Sequence, residues 1–231
     1  MGKVEKKFFI GIDLGWKEKK TTGVCILKKE GQKLFFEENY CQKCQDVLGK
    51  NVLKVIGPYL KSTAVIAIDA PLTRGRGKGK MRLYEKFLST KIFRQERVTP
   101  IPLALMQKLC DFAREVRQKL EKRGFVLDLN LIEVFPTLTK GIWEEELVFS
   151  FLGENLKTPC QTENQKSALI CALLAYLHFN FKTRYLGYKD GFLFLPQMSF
   201  WKKGWRQKFY QAWMVRSRLK YKHLITNVFV K

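Results

Sequence analysis

Apolar residues dominate 8–14, where Phe8-Phe9-Ile10-Gly11-Ile12-Asp13-Leu14 predicts a buried strand that breaks at Gly15. Thr21 to Leu27 predicts a second strand and Lys33 to Tyr40 a third, joined by the polar turns Lys17-Glu18-Lys19-Lys20 and Glu30-Gly31-Gln32. Turns this short imply an antiparallel meander. Val47, Leu48, Val52, Val55, Ile56 and Leu60 recur at helical spacing and predict a helix leading into a fourth strand, Ala64 to Ala70. Beyond it, Leu105, Leu109, Phe112, Val116 and Leu120 mark an amphipathic helix over 103–122, stopped by Gly124. A strand over Leu129 to Phe135 and a short helix over 140–152 follow. Thr162 and Gln165 fit a capping box for a helix reaching about Phe181, apolar nearly all round and therefore buried. A last strand, Gly191 to Leu195, ends at Pro196. Three hairpin-linked strands, a crossover helix and further strands predict an α/β fold with a mixed sheet.

Three acids interrupt these apolar runs. Asp13 and Asp69 each stand at the end of a hydrophobic strand, and Glu133 sits in the third such run, before Pro136-Thr137. A buried carboxylate costs several kcal/mol unless it is paired or bound to a metal. Carboxylates converging from strand ends suit hard divalent cations, Mg²⁺ or Mn²⁺, and two such ions can clamp the oxygens of a phosphodiester.

Charge sharpens that reading. The 231 residues carry a net charge of +22, and a positive field of this size attracts polyanions, nucleic acid above all. The cations cluster. Residues 71–99 are rich in glycine and bring Arg74, Arg76, Lys78, Lys80, Arg82, Arg94 and Arg97. This segment fails as a Walker A loop, because Met81 stands where Ser or Thr would hold magnesium; it reads either as a basic loop beside the acids or as a solvated insertion. No acid follows Asp190, and Trp201, Trp205, Phe209 and Trp213 alternate with Lys202, Lys203 and Arg206. Such a stripe either stacks on nucleic acid or packs on the core while its basic face meets solvent. The six cysteines include one Cys41-x-x-Cys44 pair without a second pair to complete a zinc site. Reduced thiols in a cytoplasmic protein are expected, with no signal peptide and no membrane span.

In order along the chain, Gly11-Ile12-Asp13-Leu14-Gly15, Ile68-Asp69-Ala70-Pro71-Leu72, Ile132-Glu133-Val134-Phe135-Pro136, Ser167-Ala168-Leu169-Ile170-Cys171-Ala172 and Asp190-Gly191-Phe192 to Pro196 resemble the blocks of the predicted RNase H-like nucleases called domain of unknown function 429. The resemblance implies an RNase H-like domain over 1–197, with 198–231 as a basic aromatic extension. It also implies a five-stranded mixed sheet, three strands antiparallel and the rest parallel. Asp13 and Asp69 would be metal ligands, joined by Glu133. The buried helix, where that family usually has Asp, offers Ser167; Glu163, one turn earlier on the same face, is the candidate replacement. Arg82-Leu83-Tyr84-Glu85 stands where the family tends to have Arg-x-x-Asp. The expectation is a Mg²⁺- or Mn²⁺-dependent nuclease, with about two ions. The alternative is an RNase H-like nucleic-acid-binding protein whose catalysis is impaired at Ser167.

Overall fold

The first strand forms as β1 (Phe8–Asp13), and it is the centre of the larger of two sheets in the computed structural model. The structure describes residues 5–37, 45–75, 81–144, 146, 150, 160, 162–216 and 223–229. β2 (Thr22–Glu30) and β3 (Lys33–Phe36) complete the antiparallel meander. The expected third strand reached Tyr40; residues 38–40 lie outside the described ones. β4 (Gln45–Val47) returns to pair with the start of β2 on the same edge.

The helix expected over 47–60 is mostly not α-helical. Gly49 and the Gly57-Pro58 step divide it into a 3₁₀ turn (Gly49–Asn51), the short helix α1 (Val52–Ile56) and a second 3₁₀ segment (Gly57–Ser62). β5 (Thr63–Asp69) then runs parallel to β1, and β6 (Leu131–Glu133) parallel to β5. The strand order is β3-β2-β1-β5-β6. The expected α/β fold with a mixed sheet, antiparallel then parallel, is the one that forms.

Segment 71–99 contains structure of its own: α2 (Leu83–Leu88) and α3 (Lys91–Gln95). The amphipathic stretch after Pro102 starts as one 3₁₀ turn and continues as α4 (Gln107–Glu121). Pro136 does not merely end a strand. It opens α5 (Pro136–Ile142) as its first residue, where a proline loses no hydrogen bond; of the helix expected over 140–152, residues 145, 147–149 and 151–152 lie outside the described ones. α6 (Glu163–Phe179) is capped as the sequence predicts, with the Gln165 amide donating to Thr162 Oγ1 at 3.2 Å. β7 (Thr183–Tyr188), which the sequence pattern did not reveal, pairs with β8 (Gly191–Pro196) and β9 (Ile225–Thr226) in a separate three-stranded sheet. α7 (Lys203–Met214) lies between β8 and β9 in the chain.

The pleat divides the core in two. Phe9, Cys25, Leu27, Val65, Ala67 and Ile132 pack with α6, while Ile10, Ile12, Val24, Ile26, Ile66, Ile68 and Leu131 pack with α1 and α4. α6 lies directly on the sheet because two glycines make room. A Cβ on Gly11 would stand 2.0 Å from the Ala168 carbonyl oxygen, and one on Gly23 would stand 2.1 Å from that of Asn164. The C-terminal aromatics belong to the α6-side core: Trp201 and Phe209 are fully buried, and Phe209 meets Phe87 and Phe93 edge to face. The segment after residue 197 therefore shares a core with the chain before it. Among the described residues, Cys25, Cys110, Cys160 and Cys171 are buried and in no disulfide, and no helix is long and apolar enough to cross a membrane. Cys41 and Cys44 lie outside the described residues.

Candidate active site

Parallel β1 and β5 bring their final residues into register, Asp13 opposite Asp69. Neighbouring strands lie roughly 4.8 Å apart and registered residues share a face, so the two carboxylates stand side by side. Both project to the α6 side, in step with Phe9, Gly11, Val65 and Ala67. The carboxyl ends of parallel strands are where open α/β sheets bind ligands. Here they form the floor of a cleft of about 280 Å³, walled by Leu14, Pro71, Ile101, Met106, Leu109 and Phe135.

Among the described residues, the pair has no basic partner. Burial pushes the Asp13 carboxyl up to about 7; a hydrogen bond from Ser167 on α6 works against that shift and the charge of Asp46 adds to it. Asp69 is raised well above the ordinary carboxylate range, first by burial, then by Asp13 and Glu133. Cys171, one turn along α6 from Ser167, is buried close to both acids, and desolvation, then their charges, raises its thiol.

Asp46 is the residue that sequence reasoning missed. It registers with Gly23 on β2, which registers in turn with Asp13. Asp46, Gly23, Asp13 and Asp69 thus form one row across four strands, on one face. Thr162 Oγ1, the cap of α6, donates to Asp46 Oδ1 at 3.1 Å. Gln45-Asp46-Val47 gives no alternating pattern, and Val47 already belongs to the helical pattern that follows.

Glu133 requires a correction. It registers with Ile68, not with Asp69, so the pleat turns it toward the α4 side, although it also lines the cleft. Its oxygens are already engaged. Oε2 accepts from the Leu72 amide at 2.8 Å and from Arg82 Nη1 at 2.6 Å, and Oε1 accepts from the Tyr84 hydroxyl. Arg82, expected among the nucleic-acid contacts, is buried at 1% exposure. It pairs with Glu133 and, through Nη2, with Glu85 Oε1 at 2.5 Å. Buried, it cannot reach a strand lying on the surface. Glu85 also accepts from the Arg82 amide at 2.7 Å, and Thr73 Oγ1 accepts from Arg82 Nη1 at 3.1 Å. The Arg-x-x-Glu element thus makes a buried structural ion cluster.

Glu163 is also not with the acids. Its side chain is 75% exposed in the first turn of α6 and pairs with Lys166 at 2.7 Å and Lys140 at 3.9 Å. The Lys166 hydrogen bond lowers its carboxyl below the usual range. Among the remaining cations, Arg74 is exposed and 3.6 Å from Asp111; Arg94, Arg97, Lys202, Lys203 and Arg206 are exposed. Arg76, Lys78 and Lys80 lie outside the described residues.

As they stand, no three His, Cys, Asp or Glu side chains among the described residues are gathered as a metal cage. Two adjacent carboxylates nonetheless fit Mg²⁺ in chemical type, since that ion is commonly held by one or two carboxylates with water and substrate phosphate completing its shell. No protein-family model matches the chain, and no curated protein or solved structure is similar to it.

Proposed function

We propose that this protein is a divalent-metal-dependent nuclease built on an RNase H-like sheet, acting at Asp13 and Asp69. The observation that carries this reading is the registered acid pair on β1 and β5: two buried carboxyl groups, with no basic partner among the described residues, at the ligand-binding end of the parallel strands. Like charges this close destabilise each other unless a proton or a cation intervenes. In a chain of net charge +22, a local acidic floor has a use only if something positive binds it. The strand order and the ordered blocks resembling the family of unknown function 429 support the same reading.

Asp13 and Asp69 would hold a Mg²⁺ or Mn²⁺ ion. Bound there, such an ion supplies a Lewis acid for phosphoryl oxygens and lowers the pKa of water. Ser167 orients the Asp13 carboxylate through its hydrogen bond. A second ion would need Asp46, the remaining acid on that face, since Glu133 and Glu163 are engaged elsewhere. The apolar walls exclude bulk water, which strengthens every charge interaction inside the cleft. Exposed Arg94, Arg97, Lys202, Lys203 and Arg206 contribute the long-range attraction that draws a polyanion.

One observation favours a second reading, a nucleic-acid-binding protein with impaired catalysis. Ser167 donates to Asp13 from the helix position where the resembled family usually carries an acid. Labelled single-stranded, duplex and hybrid nucleic acids incubated with Mg²⁺ or Mn²⁺ decide between the two. Cleavage by the native protein, abolished in both Asp13→Asn and Asp69→Asn, is the expected result. Binding of those substrates without cleavage under either metal would establish the second reading and overturn the first.

A further inference from the structure

A second cavity, of about 200 Å³, lies on the other side of Thr137 from the acidic cleft; both are lined by that residue. Its walls include Lys140 from α5 and Lys166 and Ser167 from α6. Ser167 is the same side chain that hydrogen-bonds Asp13, so the cationic cavity and the acid pair are separated by little more than one serine and one threonine. The two lysines converge on a single anion already present, the Glu163 carboxylate, at 2.7 Å from Lys166 and 3.9 Å from Lys140. Both ammonium groups remain half exposed, at 44% and 55%. A pair of reachable cations around one oxyanion is the arrangement that also binds phosphate.

We propose that Lys140 and Lys166 form a phosphate subsite that seats a phosphodiester of the substrate strand beside Asp13 and Asp69, with Glu163 occupying the seat when no strand is bound. This rests on the nuclease reading for the neighbouring chemistry, while the binding step stands on its own geometry. Glu163 changes meaning accordingly. It is an internal competitor of the substrate and not a catalytic acid. The ligand class is the phosphodiester oxyanion of a nucleic-acid strand, held as a point-charge contact.

The test uses the full chain and fluorescein-labelled single-stranded RNA and DNA in EDTA, with affinity measured by anisotropy over a salt series. Lys140→Gln/Lys166→Gln is compared with Lys6→Gln/Lys61→Gln. The latter removes the same charge just before β1 and β5, at the strand ends opposite the acids. The cavity variant is expected to bind about tenfold more weakly, with a log–log salt slope shallower by roughly 0.7, the loss of one single-strand phosphate contact. The distal variant should change neither. Glu163→Gln should tighten binding by about threefold and retain cleavage. Equal losses in the two lysine pairs would mean diffuse attraction and would overturn the subsite. So would an unchanged cavity variant. Loss of cleavage in Glu163→Gln would restore it as a catalytic acid and overturn its role here. If the native protein cleaves nothing, the nuclease reading fails, and the salt slopes still decide the subsite.

Discussion

Two clusters of carboxylates meet the same cleft and are built on opposite terms. Glu85 and Glu133 surround the buried guanidinium of Arg82, with Tyr84, the Leu72 amide and Thr73 completing the network. Asp13 and Asp69 have, among the described residues, no cation, one serine donor and each other. Both clusters combine apolar burial with acidic side chains, so composition does not distinguish them. Partnering does. A group of buried acids around an arginine has its carboxylate oxygens engaged inside the protein. A pair without one carries mutual repulsion that only protons relieve until a cation binds, and natural proteins keep such pairs where a ligand will take that place.

The sharpest way to break this contrast is Arg82→Met. If the arginine cluster is structural, its loss leaves two buried carboxylates unpaired and destabilises the protein by about 3–5 kcal/mol, read from urea denaturation. A loss below about 1 kcal/mol would mean that the cluster tolerates imbalance as the aspartate pair does. Glu133→Gln should cost about 2 kcal/mol, since Arg82 and Tyr84 both lose a charged acceptor, while Mg²⁺-induced stabilisation survives. Loss of that metal effect would place Glu133 with the aspartates. Asp69→Asn should do the opposite: the apoprotein gains about 1 kcal/mol as the repulsion disappears, and Mn²⁺ no longer raises Tm. An Asp69→Asn protein less stable than the native one in EDTA would remove the claim of unrelieved charge.

A pH series sharpens the same point. Asp13 titrates at about 7 in the folded protein against an ordinary 3.8, so between those values the folded state binds more protons than the unfolded. Stability in EDTA should therefore fall as pH rises from about 4 to about 7, and Asp13→Asn should flatten that slope. Smallest of all, Ser167→Ala should cost about 0.5–1 kcal/mol through the lost hydrogen bond to Asp13.

Much of this was legible in the sequence, and the failures have physical causes. Asp13 and Asp69, which the structure places in register, stood out because an acid at the end of a long apolar strand is a local anomaly. Glu133 looked identical, since Ile68-Asp69 and Ile132-Glu133 are the same dipeptide pattern. Register is not local, however: Ile68 pairs with Glu133, and an offset of one residue turns a side chain to the other face. Asp46 was hidden for a related reason, because a three-residue strand is too short to establish a period of two against a neighbouring helical pattern. The 47–60 helix failed at its glycines and at Pro58. α6 succeeded because its cap, its length and its uniform apolarity all pointed one way. The C-terminal stripe had two readings, and burial of Trp205, Phe209 and Trp201 selects packing for the aromatics. Arg82 was misread because a cation in a basic segment gives no sign of being buried.

Gly11 lies two residues before Asp13 and looks like part of a catalytic fingerprint, as Gly23 does beside the row of acids. Each is instead a place where the backbone of α6 occupies the space of a side chain. A saturation screen for activity would thus score both positions as strictly intolerant, alongside Asp13 and Asp69, and a ranking by fitness alone would merge the two kinds. Solubility of the failed variants separates them: alanine at 11 or 23 yields misfolded protein, whereas asparagine at 13 or 69 yields a soluble one that is merely inert.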